Sequence, residues 1–293
     1  MDQAGESTAV ERGFARIREG QVHYRTAGDG ATRPLWMIHA SPASSLNLVP
    51  LMRELAATRR VFAPDTPGNG DSAPLGLEQP EIADYAEAAM RTMDAMQLDR
   101  VDLYGSHTGA HVAMEIAIAR PDRVGRLVLD GVGMFAPADK QEFAARYAPA
   151  IEVDSFGSQI WWAWQFVRDQ AWFFPYFRAD SAHNRGLGLP PAATLHAVTV
   201  EVLKAIGTYH LAYRAAFRHP DRERLPLVRV PTLAMADAAD PLRAGVVEAA
   251  SLVPGARRAI VPGEATPAGR RAKAALIRAF LDGEAVGEPG GTG

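Results

Sequence analysis

Between residues 34 and 130, short apolar runs alternate with longer stretches in which apolar side chains recur every three or four positions. Ahead of them, "FARIREG" and "QVHYRTAG" read as two strands of a hairpin turning at Gly20. "PLWMIHA" (34–40) suits a strand buried on both faces. "SSLNLVPLMRELAAT" carries helical spacing, with Ser44 or Ser45 as the N-cap. "RRVFAPD" returns as a strand, and "TPGNGDSAP" is a turn-rich loop. The helix "IADYAEAAMRTMDAMQ", the strand "RVDLYG", the helix "TGAHVAMEIAIAR" closed by Pro121 and the strand "RLVLDGV" follow. Such alternation predicts an α/β fold with a mostly parallel twisted sheet and helices on both faces.

The alternation stops near Met134 and resumes at Pro231. The intervening stretch has no strand signal, is dense in aromatics ("IWWAWQFVRDQAWFFPYF", 160–177) and continues as a long helical pattern over 192–217. Beyond it, "PTLAMAD" and "RRAIVPG" read as strands, while "PLRAGVVEAASLV" and "AGRRAKAALIRAFLDG" read as helices. The expected organisation is a sheet core in two segments, 13–133 and 223–284, with an inserted helical cap or lid over 134–222. Residues 1–12 and the Gly-rich 285–293 are expected to be a disordered N-terminal tail and a flexible C-terminal tail.

Composition narrows the function classes. The 293 residues are 47% hydrophobic and 22% charged, enough for a sizeable core. A net charge of −3 gives no electrostatic reason for a nucleic-acid or anionic-membrane partner. There is no cysteine, which excludes disulfides, thiol catalysis and thiolate metal sites. The polar start is unlike a secretory signal and no apolar run reaches a membrane span, so the cytoplasm is the expected compartment. The expected partner is an apolar, aromatic or polyketide-like small molecule, a homodimer is compatible with the pattern, and no cofactor is implied.

The chemistry centres on "GSHTG" (105–109), which has the G-x-S-x-G spacing of a strand-to-helix turn that presents a nucleophile, but with histidine in the middle. With "MIHASPASS", "FAPDTPGNGDS" and "VPTLAMADAADPL", it resembles the α/β-hydrolase superfamily over nearly the whole chain. The resemblance implies an oxyanion hole from the amides of Thr108 and of Ala40 or Ser41, and a catalytic acid at Asp240. It also implies a histidine after the last strand. That stretch reads "VPGEATPAG", with Thr266 or a neighbour at the histidine position, and the last histidine in the chain is His219. The usual Ser-His pair therefore cannot be assembled from its usual places.

A serine Oγ lies about 2.4 Å from its Cα, whereas the far imidazole nitrogen reaches about 4.5 Å. A histidine at the elbow therefore reaches the space of the missing imidazole, where it is expected to bond Asp240. His107 and Asp240 are the expected catalytic pair, with His107 as general base; the rival role is a filler at the dead site of a non-catalytic binder. The neighbouring helix N-terminus and Asp240 act oppositely on its charge. A base beside an oxyanion hole suits water activation, elimination, isomerisation or cyclisation. Asp240 is equally suited to cap a helix starting at Pro241, and Asp65 and Asp71 to bond turn amides. Candidate pocket residues are His39, Ser106, His111, Trp161, Trp164, Trp172, Phe173, Tyr209, His210, Glu264 and Thr266. His39 has a structural alternative, and the aromatics could equally form the cap's own core. His107 and His111 are four apart, but no third ligand is evident and no metal site is expected.

Overall fold

Four consecutive buried residues can lie in a strand only when both faces of the sheet are covered, and five strands of this sheet are of that kind. The computed structural model describes residues 9–284. Its first strands, β1 (Glu11–Ile17) and β2 (Gly20–Ala27), form the expected hairpin, with Ile17 opposite Gly20. Glu11 and Arg12, expected in the disordered tail, are paired here with Thr26 and Arg25. This corrects the tail boundary, because cross-strand pairing holds two polar residues that the composition assigned to the tail. Residues 1–8 and 285–293 lie outside the described residues.

β3 (Leu35–Ile38) is followed by a short 3-10 turn over Ser45–Leu48, which Ser44 caps by accepting from the Leu46 amide, and by α1 (Val49–Leu55). β4 (Val61–Pro64), α2 (Ile82–Ala95), β5 (Val101–Ser106), α3 (Thr108–Ala119) and β6 (Val124–Asp130) keep the predicted order. Then come the helices α4 (Pro137–Arg146), α5 (Ser158–Trp172), α6 (Ala192–Lys204), α7 (Tyr209–Arg218) and the short α8 (Asp221–Arg224). The helical pattern of 192–217 is thus two helices, interrupted where Gly207, the poorest helix former after proline, sits in the turn. β7 (Thr232–Asp237), α9 (Gly245–Leu252), β8 (Arg257–Val261) and α10 (Pro267–Asp282) complete the fold.

The strand order is β1-β2-β4-β3-β5-β6-β7-β8. β2 runs antiparallel to β1 and β4, and the remaining pairings are parallel. Side chains alternate between two cores: Trp36, Ile38 and Leu103 pack with α2 and α3, while Leu35, Met37 and Val128 pack with α1 and α10. The switch from β3 to β5 across the sheet brings the C-terminal ends of β3, β5, β6 and β7 together, the place where such sheets bind ligands.

The helices between β6 and β7 carry their own aromatic core. Phe143, 4% exposed, packs edge-on against Phe135, Phe174, Phe177 and Phe217. Most of the aromatic block is therefore structural. Phe143→Ala is expected to lower the unfolding free energy by about 3–5 kcal/mol. A denaturant titration showing a loss below about 1 kcal/mol would contradict this packing.

Candidate functional site

The turn from β5 into α3 is made at His107, whose backbone is at φ 50°, ψ −113°. A non-glycine residue in that region is strained and persists only where its surroundings impose it. Here they do. The His107 amide donates to the Asp130 carbonyl at 2.8 Å. Gly105 and Gly109 cannot carry side chains, since a Cβ would come within 2.2 Å of the Gly109 carbonyl oxygen and 2.3 Å of that of Ile38, respectively. Gly131, at φ +72°, makes room for the imidazole: a Cβ there would lie 2.4 Å from His107 Cδ2 and 2.7 Å from its Nε2.

In that space the His107 ring meets its partner. Nε2 lies 2.7 Å from Oδ2 of Asp240, with the imidazole 37% exposed and the carboxylate 10% exposed. The other Asp240 oxygen accepts from the Leu242 amide at 2.7 Å. One carboxylate thus serves both roles read from the sequence, although the turn it caps is not yet a helix: α9 begins at Gly245 rather than at Pro241. Burial disfavours the imidazolium, but the charge and hydrogen bond of Asp240, with the more distant Asp130, outweigh it and raise the His107 pKa. For Asp240, burial is outweighed by His107, the Leu242 amide and Lys273, which hold its pKa below the ordinary carboxylate value. The balance anticipated between helix terminus and carboxylate thus falls on the side of the ion pair.

Around the pair, Thr108 opens α3, where a backbone N–H has no acceptor within the helix. The close approach of Gly109 to the Ile38 and His39 carbonyls sets the 38–41 segment, with Ala40 and Ser41, against this first turn. Ser106 ends β5 opposite Asp130.

Several candidates are placed elsewhere. His39 is buried, its Nδ1 against the Ala40 carbonyl and its Nε2 accepting from the Thr66 amide; burial, only partly offset by Asp65, lowers its pKa. It organises the loop instead of lining a pocket. Asp65 accepts from the Ser45 and Asp71 amides as expected, but the Asp71 side chain pairs with Lys204 at 3.0 Å. Glu264 turns to Lys273 at 2.8 Å, and Thr266 caps α10 by accepting from the Gly269 amide. Tyr209 is buried and donates to the Pro149 carbonyl, Trp164 packs in the aromatic core, Arg168 stacks on Trp172, and the backbone of Phe173 bridges to Asn184. His210 is half-buried, with a pKa lowered by burial and by Arg214. A cleft of about 450 Å³ is lined by Phe156, Trp161, Trp162, Gln165, Phe166 and Tyr176, among others, and includes neither His107 nor Asp240. Of the aromatic candidates only Trp161 borders it.

His111 points away from His107 into a buried ion network. Its Nδ1 and that of His219 lie 2.6 and 2.7 Å from Asp221 Oδ1, and His219 Nε2 lies 2.8 Å from Glu115. His111, His219 and Asp221 offer ligand atoms within 4.8 Å of one another, a set that includes His111 but not the His107 with which the sequence reading paired it. Lys140 pairs with Asp221 and Arg224 with Glu115, so the cluster ties α3, α4 and α8 together by ion pairs.

Sequence reasoning missed Lys273, which is 3% exposed and bonded to Asp130 at 2.6 Å. Its spacing to Ile277 and Phe280 places it on the buried stripe of α10, a signal that was present in the sequence.

A sequence model described as alpha/beta hydrolase fold matches residues 33–184, more than half of the chain. The chain belongs to the α/β hydrolase fold family. A stretch of 137 residues is 39% identical to 2-hydroxy-6-oxononadienedioate/2-hydroxy-6-oxononatrienedioate hydrolase 2 of Pseudomonas putida, covering 43% of this chain and 47% of that protein. Another of 110 residues is 40% identical to 2-hydroxymuconate semialdehyde hydrolase of Pseudomonas sp. (strain CF600), covering 35% and 37%. The chain thus spans about half the length or less of these curated relatives. Among solved structures, an epoxide hydrolase from an endophytic Streptomyces superposes with a TM-score of 0.67 at 19% identity, over 94% of this chain and 96% of that one. The enol-lactonase of Burkholderia xenovorans LB400 superposes with 0.61 at 17% identity, over 92% and 97%. At these identities the likeness shows the fold alone. Among the described residues, no helix is long and apolar enough to cross a membrane.

The pair also sets a pH dependence of stability. The raised His107 pKa contributes stability that is present below the ordinary histidine value of 6.5 and is lost as pH rises through the folded value. The lowered Asp240 pKa contributes stability that is present above 3.8 and is lost as pH falls through the folded value. Asp240→Asn should therefore cost more stability at about pH 6 than at about pH 9. Urea midpoints showing an equal or larger cost at the higher pH would contradict the ion pair.

Proposed function

We propose that this chain is an enzyme that uses the His107–Asp240 pair as a general base on a small, conjugated carbonyl compound. The observation that carries this reading is the 2.7 Å contact between the elbow histidine and the acid after β7. Because Asp240 accepts from Nε2–H, the neutral ring keeps its lone pair on Nδ1, which becomes the basic nitrogen. Nδ1 then takes a proton from water or from the substrate, and the resulting imidazolium is stabilised by Asp240. The amides of Thr108 and of Ala40 or Ser41, at the positive end of α3, hold the developing enolate or oxyanion. The reaction is hydrolysis by activated water or a proton transfer of the lyase, isomerase or cyclase type.

The substrate class draws on the named relatives, which are hydrolases of 2-hydroxy-6-oxo unsaturated acids. Such compounds combine a carbonyl, a conjugated chain and an acidic enol, the features on which a base beside an oxyanion hole acts. In this reading residues 134–222 form a cap over the end of the sheet, and 11–133 with 223–284 form the core that carries the pair. A second reading, a non-catalytic binder of the same ligands, is favoured by the absence of serine from position 107 and of histidine after β8.

Turnover of a panel of 2-hydroxy-6-oxo-dienoic acids separates the two. His107→Asn should lower kcat/KM by about 10²–10⁴-fold. Tight binding without conversion by the wild type, or unchanged turnover in the variant, would overturn the base assignment. In the wild type kcat/KM should rise with pH through the raised His107 pKa, and Asp240→Asn should move that limb to lower pH. His107→Ser should not gain p-nitrophenyl esterase activity, because His219, the last histidine in the chain, has both ring nitrogens engaged by Asp221 and Glu115. Efficient ester hydrolysis by that variant would reveal another histidine able to complete the site.

A further inference from the structure

A second set of charges lies beneath the pair. Lys273 Nζ, on the buried side of α10, is 2.6 Å from Asp130 Oδ2 at the end of β6 and 2.8 Å from Glu264 Oε2 in the loop after β8. The Tyr104 hydroxyl, from β5, donates to the same Asp130 oxygen at 2.5 Å. The other Asp130 oxygen is buried without a hydrogen-bond partner. Asp130 is also the residue whose carbonyl accepts from the His107 amide, and the glycine that makes room for the imidazole follows it directly. Its carboxylate and its main chain are therefore two handles on the same elbow. The loop where the family resemblance implies a histidine supplies Glu264 to this lysine instead.

We propose that Lys273 is a positioning residue for the His107–Asp240 pair: its ammonium holds Asp130, which anchors the His107 backbone, and shields the imidazole from the Asp130 charge. The assignment rests on reading that pair as the reactive centre. Without the cation the buried carboxylate pulls the strand end toward water, and that change reaches His107 through the Asp130 carbonyl. The charges that act on the His107 ring are Asp240, in direct contact from the β7–α9 connection, and, without contact, Asp130 from β6 and Lys273 from α10. The first two favour the imidazolium and the third opposes it. Tyr104 and Glu264 act one step further out, on Asp130 and Lys273.

The test is an NMR pH titration of the His107 ring in the full chain, with its signal assigned by its loss in His107→Asn. Lys273→Met should raise the His107 midpoint, Asp130→Asn should lower it, and Lys273→Arg should restore it close to wild type. The double variant D130N/K273M removes one charge of each sign and should return the midpoint upward from that of D130N. It also keeps the test usable if Lys273→Met alone does not fold. A folded Lys273→Met whose midpoint is unchanged or lower, or identical midpoints in D130N and D130N/K273M, would overturn the proposal. The titration is read without turnover. An inactive His107 would therefore defeat the proposed function while leaving this result intact.

Discussion

Everything distinctive in this protein depends on one contact, between the imidazole of His107 and the carboxylate of Asp240. It spans 133 residues of sequence and joins the turn after β5 to the connection after β7. Making it requires a strained backbone at His107, two flanking glycines that let α3 and β3 approach, and a third glycine whose missing side chain leaves space for the ring. Strain of about 1–3 kcal/mol at such a residue persists only when the surroundings over-determine it. Here the over-determination is visible in the Asp130 carbonyl, the parallel neighbours β3 and β6, and the buried lysine that holds Asp130.

The same frame separates two electrostatic regimes. At the sheet end, His107 and Asp240 are a partly exposed pair whose protonation follows solvent pH. Behind it, Lys273 pairs with Asp130, and in a second network the buried carboxylates of Asp221 and Glu115 are held by His111, His219, Lys140 and Arg224. Glu115 shows the pattern: burial opposes its charge, yet His219 and Arg224 pull its pKa down to about 2. Such pairs contribute little net stability against apolar replacements, but breaking one leaves an uncompensated charge. They therefore act to fix where the helices between β6 and β7 meet α3.

The sheet was readable because its signals are local: four-residue apolar runs, turn residues between them and helical periodicity in the intervals. The His107–Asp240 pair was readable for a different reason. The family resemblance pointed to the elbow and to the acid after β7, and imidazole length did the rest. What escaped reading depends on side-chain direction across long separations. Lys273 was hidden by the expectation that a lysine on an amphipathic helix faces water. Glu264 and Thr266 occupy the loop of the absent histidine but turn to Lys273 and to the start of α10. His111 follows its helix face to Asp221, whose approach no local pattern announces. The helix expected at Pro241 starts later because Asp240 first closes a turn on the Leu242 amide.

The most direct measurement is the 15N NMR spectrum of the His107 ring across its titration. The account predicts that Nε2 stays protonated and strongly hydrogen-bonded to Asp240, while Nδ1 gains and loses the proton. A neutral ring protonated on Nδ1 with Nε2 unprotonated would contradict the pairing and, with it, the assignment of His107 as the base.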